Sequence, residues 1–337
     1  MKRVKVVQIG IGHDHAFGIA LNLKKQNDIF DFVGYVIPET ERKECFTQHL
    51  VHYEGVPELT LEEAFAIPDL DAVCIETEEL SSLKYAILAA ERGLHIHLDK
   101  PGSDCHEDFV HLVEIMREKN LVLHMGYMYR YNPMVLRVLD KIEKGELGEI
   151  YSVEAHMNCH HLPEKRQWLS QFPGGMMFFL GCHLLDLIVR IKGEPLEVIP
   201  FNSCIGTDGV TAEDCGMAVL RYANGASFAK SCAAEPGGYQ RRQLVVCGSK
   251  GTIEVKPLEY PTDEGTCSKA AEVYAKDIED IMYWKDYRNY HESEPYGRYD
   301  PMMEGFASFV RGDKVNPYTY DYELMLHRVV LAACGKK

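Results

Sequence analysis

The sequence predicts an α/β protein of two domains. A doubly wound parallel sheet should occupy residues 1–125, and an α+β domain with a mostly antiparallel sheet residues 126–337. Three observations predict this. An apolar run, Val4–Ile9, leads directly into Gly10-Ile11-Gly12-His13-Asp14-His15. Strand-like and helix-like segments then alternate to residue 125, the pattern of βα units and parallel strands. From residue 150 the apolar period becomes two, that of a half-buried strand.

In chain order, Val4–Ile9 is the first strand, and Phe17, Ala20, Leu21 and Lys24 begin a helix that Leu23 helps to bury. Residues 32–37 form the second strand, stopped by Pro38, and residues 72–76 a later one. Leu83, Ile87 and Ala90 mark a helix that ends near Gly93, and His95–Leu98 is a short strand. Asp104 with Glu107 reads as a capping box for the helix carrying Phe109, Leu112, Val113 and Met116. Residues 121–125 close the series. A ligand of such a sheet is expected at the C-terminal ends of its strands.

Beyond Gly126, Asn132-Pro133 caps a helix with Val135, Val138, Leu139 and Ile142, and Gly145 ends it. Over residues 150–160, Tyr151, Val153, Ala155, Met157 and Cys159 take one side of a strand. Ser152, Glu154, His156, Asn158 and His160 take the other. Further strands are expected at 196–201, 216–222, 226–232, 243–247 and 252–256, with Asn224-Gly225 as a hairpin turn. Residues 258–300, rich in Tyr, Asp and Glu, receive no assignment.

Composition bounds the function. A chain of 337 residues, 46% hydrophobic, suits two domains with sizeable cores. Thirty-six Lys and Arg against 51 Asp and Glu give a net charge of −15, which argues against a nucleic-acid binder. A local pocket can still oppose that sign for an anionic substrate. Eleven cysteines without a CxxC pair suggest neither a zinc ribbon nor a disulfide framework. The N-terminus carries no signal-peptide pattern. The apolar stretch 176–191 contains His183, Asp186 and Arg190 and is too short for a bilayer. The expectation is a reduced, cytoplasmic protein without membrane contact.

The opening turn suits a pyrophosphate, because a helix N-terminus presents free N–H groups and partial positive charge. The first glycine permits the turn and the second lets a phosphate approach. His15 stands where the third glycine of G-x-G-x-x-G would be. A plain strand-to-helix turn has the same glycines. His13 and His15 either meet a cofactor or cap the helix with Asp14.

Four segments, in order, resemble the Gfo/Idh/MocA family of nicotinamide-dependent sugar and cyclitol oxidoreductases. They are the glycine turn, His97-Leu98-Asp99-Lys100-Pro101, the run from Gly126 to Pro133, and Gly174-Gly175 followed by a helix with His183. The resemblance implies a Rossmann domain binding NAD or NADP, with NAD favoured. Cofactor contacts would fall to Gly10, Ile11, Gly12, His13, His15, Thr77, Asp99 and Lys100. Lys100 would polarise the reacting hydroxyl and His183 would accept its proton. Tyr127, Arg130, His156, His160, Trp168 and Asp186 would line a carbohydrate-like substrate. Dimers or tetramers would assemble through the open sheet. Transient oxidation would also permit a redox-neutral elimination.

Two departures qualify this. The family's Asp, four residues before the histidine, is Phe179 here, which leaves Asp186 at i+3 to orient His183 or to be a plain solvated residue. The ribose acid expected after the second strand is replaced by Ile37-Pro38, with Glu39 later and Arg42 leaving NADP open. The rival reading is a relative that binds a ligand without hydride transfer. Other readings also stay open: Arg130 in a salt bridge, Trp168 in the core, His156 and His160 at a subunit contact, and the tyrosine tract 283–299 as a lid, packed loop or interface. No metal is expected, since His156 and His160 would stand about 13 Å apart along a strand. Only His160 with His183 could converge, and a metal-dependent hydrolase is a third reading.

Overall fold

A computed structural model describes residues 2–41, 43–278 and 285–336. The chain forms two compact units, one of residues 1–128 and 299–324, the other of 129–298 and 325–337.

The first unit opens with β1 (Val4–Ile9), α1 (Ala16–Lys25), β2 (Phe30–Val36), β3 (Glu58–Leu59), α2 (Leu61–Phe65) and β4 (Ala72–Ile75). It continues with α3 (Ser82–Glu91), β5 (His95–Leu98), α4 (His106–Glu118) and β6 (Leu123–Met125). The six strands pair in the order β3-β2-β1-β4-β5-β6, all parallel. The order reverses between β1 and β4, which is where a doubly wound sheet opens its ligand crevice. Strands buried on both faces read as near-continuous apolar runs, as Ala72–Ile75 does.

Two expected details differ. The buried side of α1 is Ile19, Ala20 and Leu23, while Phe17 and Leu21 are exposed. Phe17 instead stacks on His49 and His52. The helix α4 starts with Cys105 at its N-cap and no side-chain capping bond, so the Asp104–Glu107 capping box does not form.

The second unit holds α5 (Pro133–Glu143), β7 (Ile150–Asn158), α6 (Pro163–Trp168), α7 (Cys182–Lys192), β8 (Glu197–Ser203), β9 (Cys215–Tyr222) and β10 (Gly225–Cys232). Next come β11 (Gln243–Gly248), β12 (Gly251–Val255), β13 (Tyr260–Thr262), β14 (Gly265–Cys267), β15 (Lys269–Tyr274) and β16 (Asn289–Glu292). Eight strands make one sheet, β16-β15-β12-β11-β7-β10-β9-β8, antiparallel except for the β7–β10 pair. The β9–β10 hairpin turns at Ala223-Asn224, and Gly225 at φ 111° opens β10. Residues 258–278 and 289–292, which sequence left unassigned, supply the short β13–β14 pair, the strand β15 and the edge strand β16. The helix α7 packs on β7 and β10, over Val153, Ala155 and Met157.

The helices α8 (Asp300–Arg311) and α9 (Tyr320–Ala333) follow. Sequence placed residues 299–324 with the second domain; they pack with the first unit. The reason is the apolar side of α8, where Met302, Met303 and Phe306 are buried. The Phe306 ring stacks on His124 at 5.3 Å.

Candidate active site

At the end of β1 the glycine turn meets the end of β4. Gly10 lies at φ 97°, and a Cβ there would stand 2.4 Å from the Thr77 amide nitrogen, so only glycine allows the approach. The turn already holds an anion. The Ile11 N–H donates to Glu41 Oε2 at 2.8 Å, and the Gly12 and Glu78 N–H groups donate to Oε1 at 3.2 Å. Burial pushes the Glu41 carboxyl up to about 7, although these amide bonds pull the other way.

Sequence reasoning missed Glu41. It looked for an acid at the end of β2, whereas Glu41 comes five residues later and loops back. Glu39 is on the surface, 2.5 Å from Lys84. Ile37 packs against Ile11, Ala20, Tyr35 and Tyr53. Arg42 lies outside the described residues.

Asp99, just past β5, gathers the next groups. His15 Nδ1 is 3.0 Å and His13 Nδ1 3.3 Å from Asp99 Oδ2, and the Lys100 N–H donates to Oδ1 at 2.6 Å. His15 occupies the N-cap of α1 without a side-chain capping bond. Lys100 is buried, and its bond to Pro101 is cis. The expected cofactor residues Gly10, Ile11, Gly12, His13, His15, Thr77, Asp99 and Lys100 therefore gather at the C-terminal ends of β1, β4 and β5. Tyr127 is buried just after β6.

In the second unit, His183 is buried on α7, with the Tyr129 ring edge-on at 5.2 Å. Asp186 uses both carboxylate oxygens on Arg130: Nε donates at 3.1 and 3.0 Å and an Nη at 2.8 Å. Asp186 and Arg130 thus form one buried ion pair that braces α7, the salt-bridge reading of Arg130. Phe179, in a π-helical turn Met177–Gly181, joins Trp168 and Phe172 in an aromatic group. The Lys165 ammonium covers one face of the half-buried Trp168 ring at 3.7 Å.

The pleat of β7 points His156 away from α7, onto the open sheet face beside Phe228 at 5.4 Å. His160 is exposed past the strand end. Neither shares a metal-spaced group with His183 among the described residues. Tyr299 packs in the first unit against Gly18 and His15, and Tyr283 lies outside the described residues. A further group escaped the sequence. Glu259 accepts from Tyr129, Arg242 and Arg298. Burial acts to raise its carboxyl, but the two guanidinium groups hold it down at about 2.

Fold and strand-end site define a two-domain protein of the NAD-binding Rossmann class. The chain belongs to the Gfo/Idh/MocA family: residues 4–127 match its oxidoreductase NAD-binding Rossmann fold and residues 135–254 its C-terminal domain. It is similar to an uncharacterized oxidoreductase of Schizosaccharomyces pombe, 28% identical over 48% of this chain and 45% of that protein. It is also similar to the D-xylose 1-dehydrogenase [NADP(+)] of Haloarcula marismortui, 25% identical over 64% of this chain and 61% of that protein. The chain thus spans about half the length of these curated relatives. Among solved structures, KijD10, a 3-ketoreductase from Actinomadura kijaniata in complex with NADP and TDP-benzene, superposes with a TM-score of 0.79 at 17% identity. That match covers 98% of this chain and 97% of the other. No helix among the described residues is long and apolar enough to cross a membrane.

Proposed function

We propose that this protein is an NAD(P)-dependent oxidoreductase acting on a secondary hydroxyl, or the matching ketone, of a carbohydrate-like molecule. The observation that carries the reading is the buried Lys100 set beside an anion-binding glycine turn at the strand ends. The turn fits a dinucleotide: Ile11 and Gly12 amides already hold a carboxylate, and neither glycine has a Cβ to block a phosphate. Nicotinamide, when bound, supplies the hydride acceptor or donor.

This chain's residues handle charge and the proton. The Lys100 ammonium stabilises negative charge developing on the substrate oxygen. His183 accepts the hydroxyl proton in oxidation and returns it in reduction. The Arg130–Asp186 pair and the Tyr129 ring fix the helix and ring that do so. The cofactor is NAD or NADP, and the acidic residues Glu39 and Glu41 after β2 weigh toward NAD. The similar D-xylose 1-dehydrogenase supports the substrate class.

Titration with NADH and NADPH, read by nicotinamide fluorescence, tests the reading. NADH should bind. Lys100→Ala and His183→Ala should each cut sugar oxidation by about 100-fold or more while leaving NADH affinity within a few-fold. No binding of either nucleotide at millimolar concentration overturns it. That result would favour a ligand-binding relative without hydride transfer.

A further inference from the structure

Behind the glycine turn, the first unit buries a set of side chains of which two, Glu76 and His97, have no part in the proposed chemistry. Glu76 directly follows β4, His97 lies in β5, Asp99 directly follows it, and His13 ends the turn. All four are 3% exposed or less. Glu76, His97 and Asp99 each offer a ligand atom, the three within 4.8 Å of one another. His97 Nε2 is 3.6 Å from Glu76 Oε1; His13 Nδ1 is 3.3 Å from Asp99 Oδ2 and 3.9 Å from Glu76 Oε2. Both Glu76 oxygens and the His97 Nε2 have no hydrogen-bond partner.

These spacings are diagnostic. A hydrogen bond between such groups closes to about 2.7–3.2 Å. Ligand atoms at about 2.0–2.2 Å from a tetrahedral ion stand about 3.3–3.6 Å apart. The set is spread like a coordination shell around the Glu76 oxygens and His97 Nε2, while His13 Nδ1 accepts the His15 N–H at 3.1 Å.

We infer that Glu76, His97 and Asp99 bind one divalent transition-metal ion at the ends of β4 and β5. Charge agrees: Glu76, Glu79 and Asp99 bring three buried carboxyls against the one ammonium of Lys100. An outer support is also in place. His97 Nδ1 lies 2.7 Å from His124 Nδ1, which fixes the ring that turns Nε2 toward the carboxylates. Mixed imidazole and carboxylate donors suit zinc, manganese, iron or cobalt. His15, on the partly exposed side, is next to Asp99 where an ion would enter. The ion has a positioning role: it ties Asp99, and with it the Lys100 backbone bonded to Asp99 Oδ1. The sequence reading expected no metal because it weighed only the histidines of β7 and α7.

The test is independent of turnover and of nucleotide binding. Purified full-length protein is analysed for metal, then stripped with a chelator and titrated with Co²⁺. One equivalent of ion, visible Co²⁺ bands and a rise in Tm on loading are expected. Glu76→Gln and His97→Asn should abolish the bands, and His124→Asn should weaken Co²⁺ binding about 10- to 100-fold. Wild-type protein without stoichiometric metal and without Co²⁺ bands overturns the inference; the Glu76–Asp99 pair then holds a shared proton. Co²⁺ binding that persists in folded Glu76→Gln also overturns it, since the ion would sit elsewhere. If a variant fails to fold, metal content and Co²⁺ bands of the wild type still decide.

Discussion

Glu41 shows most directly how one side chain can govern the site. Its carboxylate occupies the Ile11 and Gly12 amides that a cofactor phosphate needs. Glu41→Gln should therefore bind NADH about tenfold more tightly, because a charge that repels the phosphates is gone. Wild-type affinity should rise as pH falls from 8 to 6, as the carboxyl with its value of about 7 takes up a proton and releases the amides. The variant's affinity should be flat over that range; fluorescence titrations at several pH values check both. Stability carries the same sign. The folded protein holds this proton more tightly than the unfolded chain, so the contribution is complete below about 4.5 and is lost as pH rises through about 7. Across that window urea denaturation should show the wild type losing roughly 2–3 kcal/mol relative to Glu41→Gln. At this scale Lys100 and His183 were legible in the sequence because motifs flank them. Glu41, Glu76 and Glu259 were not, because each acts on residues far away in the chain.

Among the elements, α5 repays the most attention. Asn132 accepts from the Met134 and Val135 amides, and its own NH₂ donates to the Leu258 carbonyl and the Tyr296 hydroxyl. One side chain both caps the helix and ties it to the 258–296 region. Asn132→Ala should cost about 2 kcal/mol, more than an exposed cap, and a shift of the urea midpoint measures it. Pro at N1 and Asn at the cap made this helix plain in the sequence. The α4 cap was misread because Asp104 and Glu107 have capping-box spacing while the chain enters the helix one residue later, at Cys105. In α1 the period was right and the face was wrong. Sequence spacing cannot say which stripe meets a sheet when both carry apolar residues.

For the whole molecule, the open face of the eight-stranded sheet bears on assembly. The pairing register lines up Phe201 with Met217, and Ile199 with Val219 beside Phe228. Ile199 and Phe201 are exposed. An apolar stripe of this kind on an uncovered sheet supports the expected homo-oligomer. Val219→Asp should lower the mass in light scattering to that of a single chain, with the far-UV circular dichroism unchanged; an unaltered mass would show that the stripe is not the interface.

The alternation of βα units, the change to period two at residue 150, the glycine turn and the Lys-Pro element are all legible in the chain. These depend on neighbours a few residues apart, and local sterics and burial periodicity write them directly into the chain. The fold settled that residues 299–324 join the first unit, that Asp186 pairs with Arg130, and that His156 faces away from α7. It alone brought Glu41 into the turn and Glu76 beside His97. Those outcomes rest on contacts between residues far apart in sequence, where the gain from burying an apolar face or satisfying a buried charge selects among partners that local patterning leaves equal.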